Sequence, residues 1–260
     1  MYIVFFIISF GASIVGAISG IGGGVIIKPV MDVVSGLGVA TISFLSSTTV
    51  LSMATVSLIR SRKSPVSINI RNTSMMAVGG ILGGLAGKSL FDIVKNGFSN
   101  DKVIGISQAS ILFLITLGVL LFYINKEKIK PQHHKGLLFS IFIGFILGSF
   151  ASFLGIGGGP INLAVLYFFF AMDSKTAALN SIFIIFFSQI ASLLFTTLSG
   201  NLPEFEPMVL IIMIIGGITG GLTGSVLSHR MTNRAVDKLF MGVLSVIMVL
   251  CLYNTVSWIV

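Results

Sequence analysis

The sequence predicts an all-α polytopic membrane protein made of two inverted repeats, each a glycine-broken re-entrant hairpin plus three transmembrane helices. Composition is the first reason: the 260 residues are 55% hydrophobic and 9% charged, with a mean hydropathy of +1.05, whereas soluble proteins average roughly 25% charged residues. The second reason is a series of apolar runs of membrane-spanning length, and the third is an internal duplication. Soluble enzymes and nucleic-acid-binding domains are excluded, because no soluble domain remains.

Ten apolar segments follow one another along the chain. Two short segments, 24–37 and 160–172, each follow a glycine-rich element, and the eight longer ones are 2–19, 38–59, 72–91, 104–125, 136–154, 174–199, 207–228 and 236–259. The runs are continuously apolar rather than alternating, which favours helices over a β-barrel. The first run lacks a basic n-region and an obvious cleavage site, so we expect it to be retained and not removed as a signal peptide.

Two sequence blocks occur twice and in the same order. The element GIGGG at Gly20–Gly24 is repeated identically at Gly155–Gly159, 135 residues later. The stretch "GGILGGLAGKSL" (79–90) matches "GGITGGLTGSVL" (216–227) at eight of twelve positions, 137 residues later. Shared order and nearly shared spacing predict two homologous transmembrane repeats, 1–125 and 136–260, joined by a basic cytoplasmic linker at 126–135.

The short segments bear on whether the halves are parallel or inverted. The 14 residues of 24–37 form a helix of about 21 Å, short of the roughly 30 Å hydrocarbon core. A re-entrant hairpin leaves three crossings per half and inverts the second half, whereas a single broken crossing leaves four and makes the halves parallel. The inverted arrangement collects twelve basic residues on one side and four on the other, against eight and eight. Cytoplasmic loops are enriched in Lys and Arg, so inversion is preferred, with both termini outside.

The glycine breaks predict a site for an anion. Irregular backbone survives at membrane depth only inside protein or beside a water-filled cavity, and discontinuous helices at a repeat interface are typical substrate sites of secondary transporters. Half-helices that begin at Gly24 and Pro160 point free N–H groups and the positive dipole end at the break. Such ends favour a small oxyanion or carboxylate. The "GGILGGLAG" and "GGITGGLTG" stretches are instead interpreted as close helix packing.

Polar side chains near the breaks are further candidates for anion binding. Lys28, four residues into the first half-helix, could neutralise a bound anion or extend to the outer surface. Asp32 is the one exception to an absence of mid-membrane carboxylates for a proton relay, and Asp173 is expected to cap a helix. Residues that could line the path, or alternatively bond between helices, are Asn162, Asn180, Ser181, Gln189, Ser43, Ser46, Ser47 and Thr48. The single cysteine excludes a disulfide and a cysteine-based metal cluster, and no catalytic residue, metal or cofactor is predicted.

The duplicated "SGIGGG" and "LGIGGGPI", each followed by a short helix and a polar-dotted segment ("ATISFLSSTT" and "TAALNSIFI"), resemble the TauE/SafE sulfite exporter family. The paired "GGILGGLAG" and "GGITGGLTG" helices fit the same pattern, and the resemblance covers nearly the whole chain. It implies a multi-pass inner-membrane permease for sulfite, organosulfonates or related small anions. It also implies that the glycine elements are central to transport, at Gly20, Gly22, Gly23, Gly24, Gly155, Gly157, Gly158 and Gly159.

The sequence therefore predicts a permease, not an enzyme, that moves a small anion across the inner membrane by alternating access. The anion is expected at the glycine-rich half-helix termini near the midplane. Its predicted partners are this anion and the lipid bilayer, with no nucleic acid, and a homo-oligomer stays open. Two alternatives are kept: an anion-selective channel and a non-transporting membrane scaffold subunit.

Overall fold

The computed structural model describes residues 1–62, 68, 70–97, 101–134, 136–156 and 159–259, and this part of the chain is helical throughout. The ten α-helices of the described part are α1 (Tyr2–Ser19), α2 (Gly24–Val34), α3 (Val39–Ser61), α4 (Ile70–Gly97), α5 (Asp101–Ile124), α6 (Leu137–Phe153), α7 (Pro160–Phe170), α8 (Ser174–Leu198), α9 (Pro207–Arg230) and α10 (Asn233–Ile259). Seven of them, all except α2, α6 and α7, are long and apolar enough to cross a membrane. The predicted all-α polytopic membrane protein is confirmed.

Local sequence explains where the helices begin and end. α1 ends at Gly20, whose φ of 76° lies in the left-handed region that favours glycine. α8 begins after Asp173, whose carboxylate accepts a hydrogen bond from the Thr176 backbone N–H at 2.7 Å, so the predicted cap is confirmed. α9 begins with Pro207, which suits the first helical turn because its missing N–H would have no intrahelical partner there.

One end of the bundle, called here the terminal end, is defined by three contacts that join α1, α3 and α4 to the segment before α9. The contacting pairs are Tyr2 with Glu206, Thr41 with the Glu204 carbonyl, and Asp92 with Asn201. α10 also finishes toward this end, because Asn254 donates a hydrogen bond to the Pro29 carbonyl of α2 at 3.0 Å. The terminal end therefore holds the starts of α1, α3, α5 and α9.

The opposite end, called here the linker end, is defined by the segment that joins the two predicted halves. The Lys126 ammonium, just after α5, contacts Ser174 at the start of α8 and Asp237 near the start of α10, each at 2.9 Å. The Gln132 backbone N–H donates to the Phe168 carbonyl at the end of α7. The linker end therefore holds the starts of α4, α6, α8 and α10, so corresponding helices of the two halves begin at opposite ends.

Both glycine-broken segments are helical hairpins. Gly23 packs against Ala12 of α1, and Phe5 of α1 shares a buried apolar cluster with Ile27 and Met31 of α2, so α2 runs back along α1. In the second half, the same return is made by α7 along α6, since α6 begins and α7 ends at the linker end. The apolar clusters around both hairpins place the glycine turns in the interior of the bundle.

The second pair of repeated blocks packs helices tightly across the two halves. α4 lies along α6, and α9 lies along α1. A methyl group on Gly79, Gly83 or Gly87 of α4 would overlap backbone atoms of α6, and one on Gly220 or Gly224 of α9 would overlap backbone atoms of α1. Glycine lets these backbones approach closely, so the packing interpretation of these two blocks is confirmed.

Candidate functional site

The two glycine turns meet in the interior of the bundle. Gly24, at the start of α2, lies so close to the Ile156 carbonyl of the other turn that a Cβ atom on Gly24 would overlap this oxygen. The same Cβ would also crowd Ser46 of α3. Ile21 and Ile156 are buried in one apolar cluster. The two turns, 135 residues apart in sequence, are therefore in direct contact.

Each turn also rests on a helix of the opposite half. Gly20 packs against Ala178 of α8, and its carbonyl accepts a hydrogen bond from the Ser181 hydroxyl at 2.6 Å. Gly155 packs against Ser43 of α3, at the repeat position of Ala178. Gly20 and Gly155 have φ of 76° and 63°, so a side chain at either position would be strained as well as crowded.

The remaining predicted glycines have different surroundings. Gly22 has a φ of 76° and completes the first turn. Gly23 packs back onto α1, as described above. Gly159 has an extended backbone and space for a Cβ atom, with the nearest neighbouring atom at 3.8 Å. Gly157 and Gly158 lie outside the described residues.

Several backbone amides at the turns already have acceptors. The N–H groups of Gly20, Gly155 and Ile156 donate to carbonyls of the preceding helix at 2.8, 3.2 and 3.2 Å. Within the described part of the chain, the buried donors near the turns that lack a protein partner are the hydroxyls of Ser43, Ser46 and Ser152. Side-chain hydroxyls are thus available to a ligand beside the turns, in addition to the first-turn amides of the half-helices.

A cavity of about 290 Å³, called here the terminal-end cavity, leads from the loop at 200–203 down to Gly155. Hydroxyl and charged side chains dominate its wall: Ser43, Ser47, Ser152, Ser192, Thr196, Lys88, Asp92 and Lys95. Lys88 and Asp92 form an ion pair at 3.2 Å. With two lysines and one aspartate, the wall carries a net positive charge that suits a small anion.

A second cavity of about 50 Å³, called here the linker-end cavity, lies beside Ala178, the residue that Gly20 contacts. Its ten lining residues are Ala17, Ser57, Ser61, Lys175, Ala178, Leu179, Ile182, Ser225, Ser228 and His229. Shifted by the repeat spacing, every one of them coincides with a residue that lines the terminal-end cavity. Ser57 corresponds to Ser192, for example, and Lys175 to Ala40. The two cavities are therefore repeat-related and approach the paired turns from opposite ends.

Lys175 accounts for part of the difference between the two cavities. Its ammonium donates to the backbone carbonyl of Met231 at 2.9 Å, and its backbone N–H donates to the Asn233 side chain at 3.1 Å. These bonds tie the start of α8 to the segment between α9 and α10. The corresponding residue at the terminal end is Ala40, which has no side chain that could make such a bond.

Three predicted residues of α3 and α8 are placed beside the turns or the cavity. Ser47 lines the terminal-end cavity. Ser181 bonds the Gly20 carbonyl, as described above. Thr48 instead donates to the Phe44 carbonyl one turn back in its own helix, at 2.9 Å, so its hydroxyl is engaged locally.

The predicted amides fall into two groups. Asn180 donates to the Thr176 carbonyl at 2.7 Å and accepts from Thr73 of α4, which is an inter-helix bond. Asn162 donates to Ser181 at 3.2 Å, but its side-chain oxygen is buried without a partner in the described part of the chain. Gln189 is fully buried, and neither of its amide atoms has a partner among the described residues. Asn162 and Gln189 therefore retain hydrogen-bonding capacity in the interior.

Lys28 lies apart from the terminal-end cavity. The residue is 3% exposed, so its side chain does not reach the outer surface. Its ammonium is 3.4 Å from the Asp32 carboxylate, and both residues line a separate small cavity between α2, α5 and α10. Lys28 is thus a buried, paired lysine next to the turns rather than a residue of the terminal-end cavity.

The sequence interpretation missed several residues of the terminal-end cavity, among them Lys88, Lys95, Ser152 and Ser192. Lys88 carried a readable signal: it interrupts the match between "GGILGGLAGKSL" and "GGITGGLTGSVL", where the second copy has Ser225. A lysine inside a glycine-rich membrane helix is a candidate for function by default. The serines carried no comparable signal, because small hydroxyl residues are common throughout these helices.

The family comparison covers this whole arrangement. The family model described as sulfite exporter TauE/SafE matches residues 5–251, which include both hairpins and both cavities. No curated protein and no solved structure matches the chain. The chain belongs to the sulfite exporter TauE/SafE family.

Proposed function

We propose that the protein is a permease that moves a small anion, sulfite or a related sulfur compound such as an organosulfonate, across the inner membrane by alternating access. The family's description supports the class of substrate. The observation that carries the mechanism is the pair of repeat-related cavities, about 290 and 50 Å³, that approach the paired glycine turns from opposite ends. No covalent step is needed, so the proposal is a transport function and not an enzymatic one.

Unequal cavities made of equivalent residues are what alternating access requires. Two repeats of nearly the same sequence can adopt two packings, and exchanging these packings between the halves opens one path and closes the other. In this structure the wide path faces the terminal end and the narrow path faces the linker end. The exchanged state would have a wide linker-end cavity and a narrow terminal-end cavity, with the glycine turns between them.

The charges at the two ends support an orientation. Basic residues of the described part of the chain gather at the linker end: Arg60, Arg62, Arg71, Lys126, Lys128, Lys130, Lys175, Arg230, Arg234 and Lys238. Lys63 and Lys135, which the sequence interpretation also assigned to that side, lie outside the described residues. Because cytoplasmic loops are enriched in Lys and Arg, we assign the linker end to the cytoplasm and the terminal end, with both termini, to the outside. The opposite directions of corresponding helices support the inverted repeats.

The inner part of the terminal-end cavity is the proposed anion site. Ser43, Ser152 and Gly155 lie there beside the second turn, and Ser192 faces them from α8. Hydroxyl groups and ammonium groups donate hydrogen bonds to oxyanions, and Lys88 and Lys95 supply positive charge along the wall. A sulfite or sulfonate group, with several acceptor oxygens and a negative charge, matches this set of donors.

Paired cysteine substitutions at repeat-related positions test the mechanism. Ser192→Cys reports on the terminal-end cavity and Ser57→Cys on the linker-end cavity, each in a Cys251→Ala background. Reaction of each thiol with a membrane-impermeant reagent is measured in right-side-out and inside-out vesicles. Alternating access predicts that Ser192→Cys reacts from outside and Ser57→Cys from the cytoplasm. Sulfite or methanesulfonate should then change the two rates in opposite directions.

The same measurement separates the alternatives. A channel would let both thiols react together, and anion flux in liposomes would be an uncoupled current rather than a saturable, counterflow-stimulated exchange. A scaffold subunit would support no flux, and no anion would raise the thermal stability of the purified protein, although a ligand of the folded state must do so. Labelling rates that do not respond to any anion, together with absent flux, would overturn the permease proposal.

A further inference from the structure

A buried ion pair on α2 is poorly compensated. Lys28 and Asp32 have side chains that are 4% and 9% exposed, yet the ammonium and carboxylate are 3.4 Å apart. Charge-assisted hydrogen bonds between such groups are normally about 2.7–2.9 Å long. Buried charges are stable only when partners satisfy all their hydrogen-bonding positions. This pair is therefore one whose protonation can change at small cost.

The surroundings of the pair have acceptor oxygens in excess of donors. One Asp32 carboxylate oxygen and the side-chain oxygens of Gln108 (α5) and Asn254 (α10) are buried without a partner among the described residues. The nitrogens of the two amides are occupied, since Gln108 donates to the Phe153 carbonyl at 2.6 Å and Asn254 to the Pro29 carbonyl at 3.0 Å. Asp32 and Gln108 line one cavity of about 10 Å³, room for roughly one water molecule.

The geometry points to Asp32 as a proton-binding site that couples proton movement to anion movement; this inference rests on the proposed permease function. A proton from water at the terminal end would bind a carboxylate oxygen of Asp32, with no other bond made or broken, and would leave again in the exchanged state. The protonated carboxyl gains one O–H donor where acceptors lack donors. It also leaves Lys28 as an uncompensated positive charge.

The position of the pair connects it to the anion site. Lys28 lies four residues after Gly24, about 6 Å along the helix axis at 1.5 Å per residue. Leu154 and Ile156, which belong to the second turn, line the same small cavity as the pair. A positive charge released at Lys28 would therefore attract an anion near the turns through a medium of low dielectric constant. Proton binding and anion binding should favour each other.

Other titratable groups near the pair are few. The Cys251 thiol of α10 lines the same cavity. α5 and α10 carry Lys102 and Tyr253 nearer the terminal end, while Arg234, Asp237 and Lys238 of α10 and Tyr123 of α5 lie toward the linker end. α1 and α3, which also pack against α2, have only Tyr2 and Arg60 as titratable side chains, near the outer ends of these helices. Asp32 is thus the one carboxylate that faces the small cavity in the described part of the chain.

Infrared difference spectroscopy tests proton binding without any transport assay. The chain has eight acidic residues, so the C=O stretch of a single protonated carboxyl can be assigned by substitution. We expect a carboxylic acid band that grows as the pH is lowered in the wild type, is shifted in Asp32→Glu, and is absent in Asp32→Asn. A band that persists unchanged in Asp32→Asn would overturn the assignment. Lys28→Gln/Asp32→Asn, which removes both charges together, gives the same readout if Asp32→Asn alone does not fold.

Proteoliposomes with an internal pH indicator test coupling. Methanesulfonate is the probe, because it stays ionised over the pH range used, and flux of the anion and of protons are recorded together. Wild type and Asp32→Glu should move protons with the anion, Asp32→Asn should lose most of this proton flux per anion, and the control Asp92→Asn should keep it. Unchanged proton flux per anion in Asp32→Asn, or anion flux without protons in the wild type, would overturn the inference. Absence of any anion flux in the wild type, with sulfite as well, would instead count against the permease proposal, and the infrared result then decides on Asp32 alone.

Discussion

The terminal-end and linker-end cavities are built from the same repeat positions, yet one has a volume of about 290 Å³ and the other about 50 Å³. Sequence symmetry therefore coexists with structural asymmetry. The comparison teaches that the shape of each path is not encoded by its own lining residues alone. It depends on which of two packings each half adopts around the glycine turns.

The contacts at the two ends differ in the same sense. At the linker end, Lys126 bonds both Ser174 and Asp237 at 2.9 Å and lies over the ring of Tyr167, 4.4 Å from its centroid. Lys175 adds its bond to the Met231 carbonyl. At the terminal end, the contact between Asp92 and Asn201 at the mouth of the cavity is 3.5 Å long. Short, charge-assisted bonds hold the narrow end, and longer neutral ones leave the wide end open.

The largest expected effect comes from separating the turns that both cavities share. In Gly24→Val, the new side chain would overlap the Ile156 carbonyl, so we expect anion flux to be abolished and stability to fall by about 1–3 kcal/mol. Flux in proteoliposomes and thermal unfolding measure the two effects. Gly242→Val is the matched control, because no atom lies within 4 Å of a Cβ atom at Gly242. Normal flux in Gly24→Val would show that contact between the turns is dispensable.

The next effect concerns the charge that only the wide cavity carries. Lys88→Gln removes an ammonium whose repeat-related position is Ser225, and hydrogen bonds to charged groups contribute about 1.5–3 kcal/mol. We expect the Kd of sulfite or methanesulfonate to rise about 10- to 100-fold, measured by calorimetry or thermal shift. Ser225→Ala, in the narrow cavity, should leave this Kd nearly unchanged in the terminal-open state. Equal losses in both variants would contradict the assignment of anion binding to the terminal-end cavity.

A smaller effect is expected from loosening the narrow end. Lys175→Ala removes the bond to the Met231 carbonyl and copies the residue, Ala40, that the wide end has at this position. Losing about 1 kcal/mol from the linker-end contacts shifts a two-state equilibrium about fivefold. Labelling of Ser57→Cys from the cytoplasm should accelerate by this factor in Lys175→Ala, and labelling of Ser192→Cys from outside should slow. If both rates stay the same, Lys175 has no part in closing the linker end.

The smallest effect sharpens the comparison at the helix starts. α8 begins with a side-chain cap from Asp173, whereas α3, its counterpart at the terminal end, begins after Gly38 without a side-chain cap. Asp173→Ala should lower the free energy of unfolding by about 1 kcal/mol, seen as a lower melting temperature with anion flux retained. Asp173→Asn, which can still accept the Thr176 N–H, should lose less. A loss of flux without a loss of stability would mean that this residue acts in transport rather than as a cap.

Much of the fold could be predicted from local sequence. Each of the ten apolar segments became a helix, with bounds close to those expected, because glycine, proline and charged residues punctuate the apolar runs and leave the backbone few alternatives in lipid. The glycine stripes of α4 and α9 were also interpretable, since small residues at helical spacing allow only close packing. Asp173 could be recognised as a cap from its position before a helix start.

The candidate site was predictable only in part. The glycine turns were found because they interrupt the helical pattern twice. Lys28 was expected near a bound anion, but its side chain is buried beside Asp32, since an i,i+4 pair on a helix face satisfies both charges locally. Ser152 and Ser192, together with Lys95, were not found, because they come from separate helices and share no spacing. Their proximity depends on how α4, α6 and α8 pack.

The sequence by itself determined that the chain is helical, spans a membrane, is duplicated, and breaks two helices at glycine, because hydropathy, repeat spacing and backbone freedom are local properties. Only the tertiary structure decided that the two breaks touch, that equivalent residues form one wide and one narrow cavity, and that Lys28 pairs with Asp32 away from both. The physical reason is that contacts between helices depend on side chains brought together from distant segments, and two nearly equal packings of one sequence can differ in which path is open.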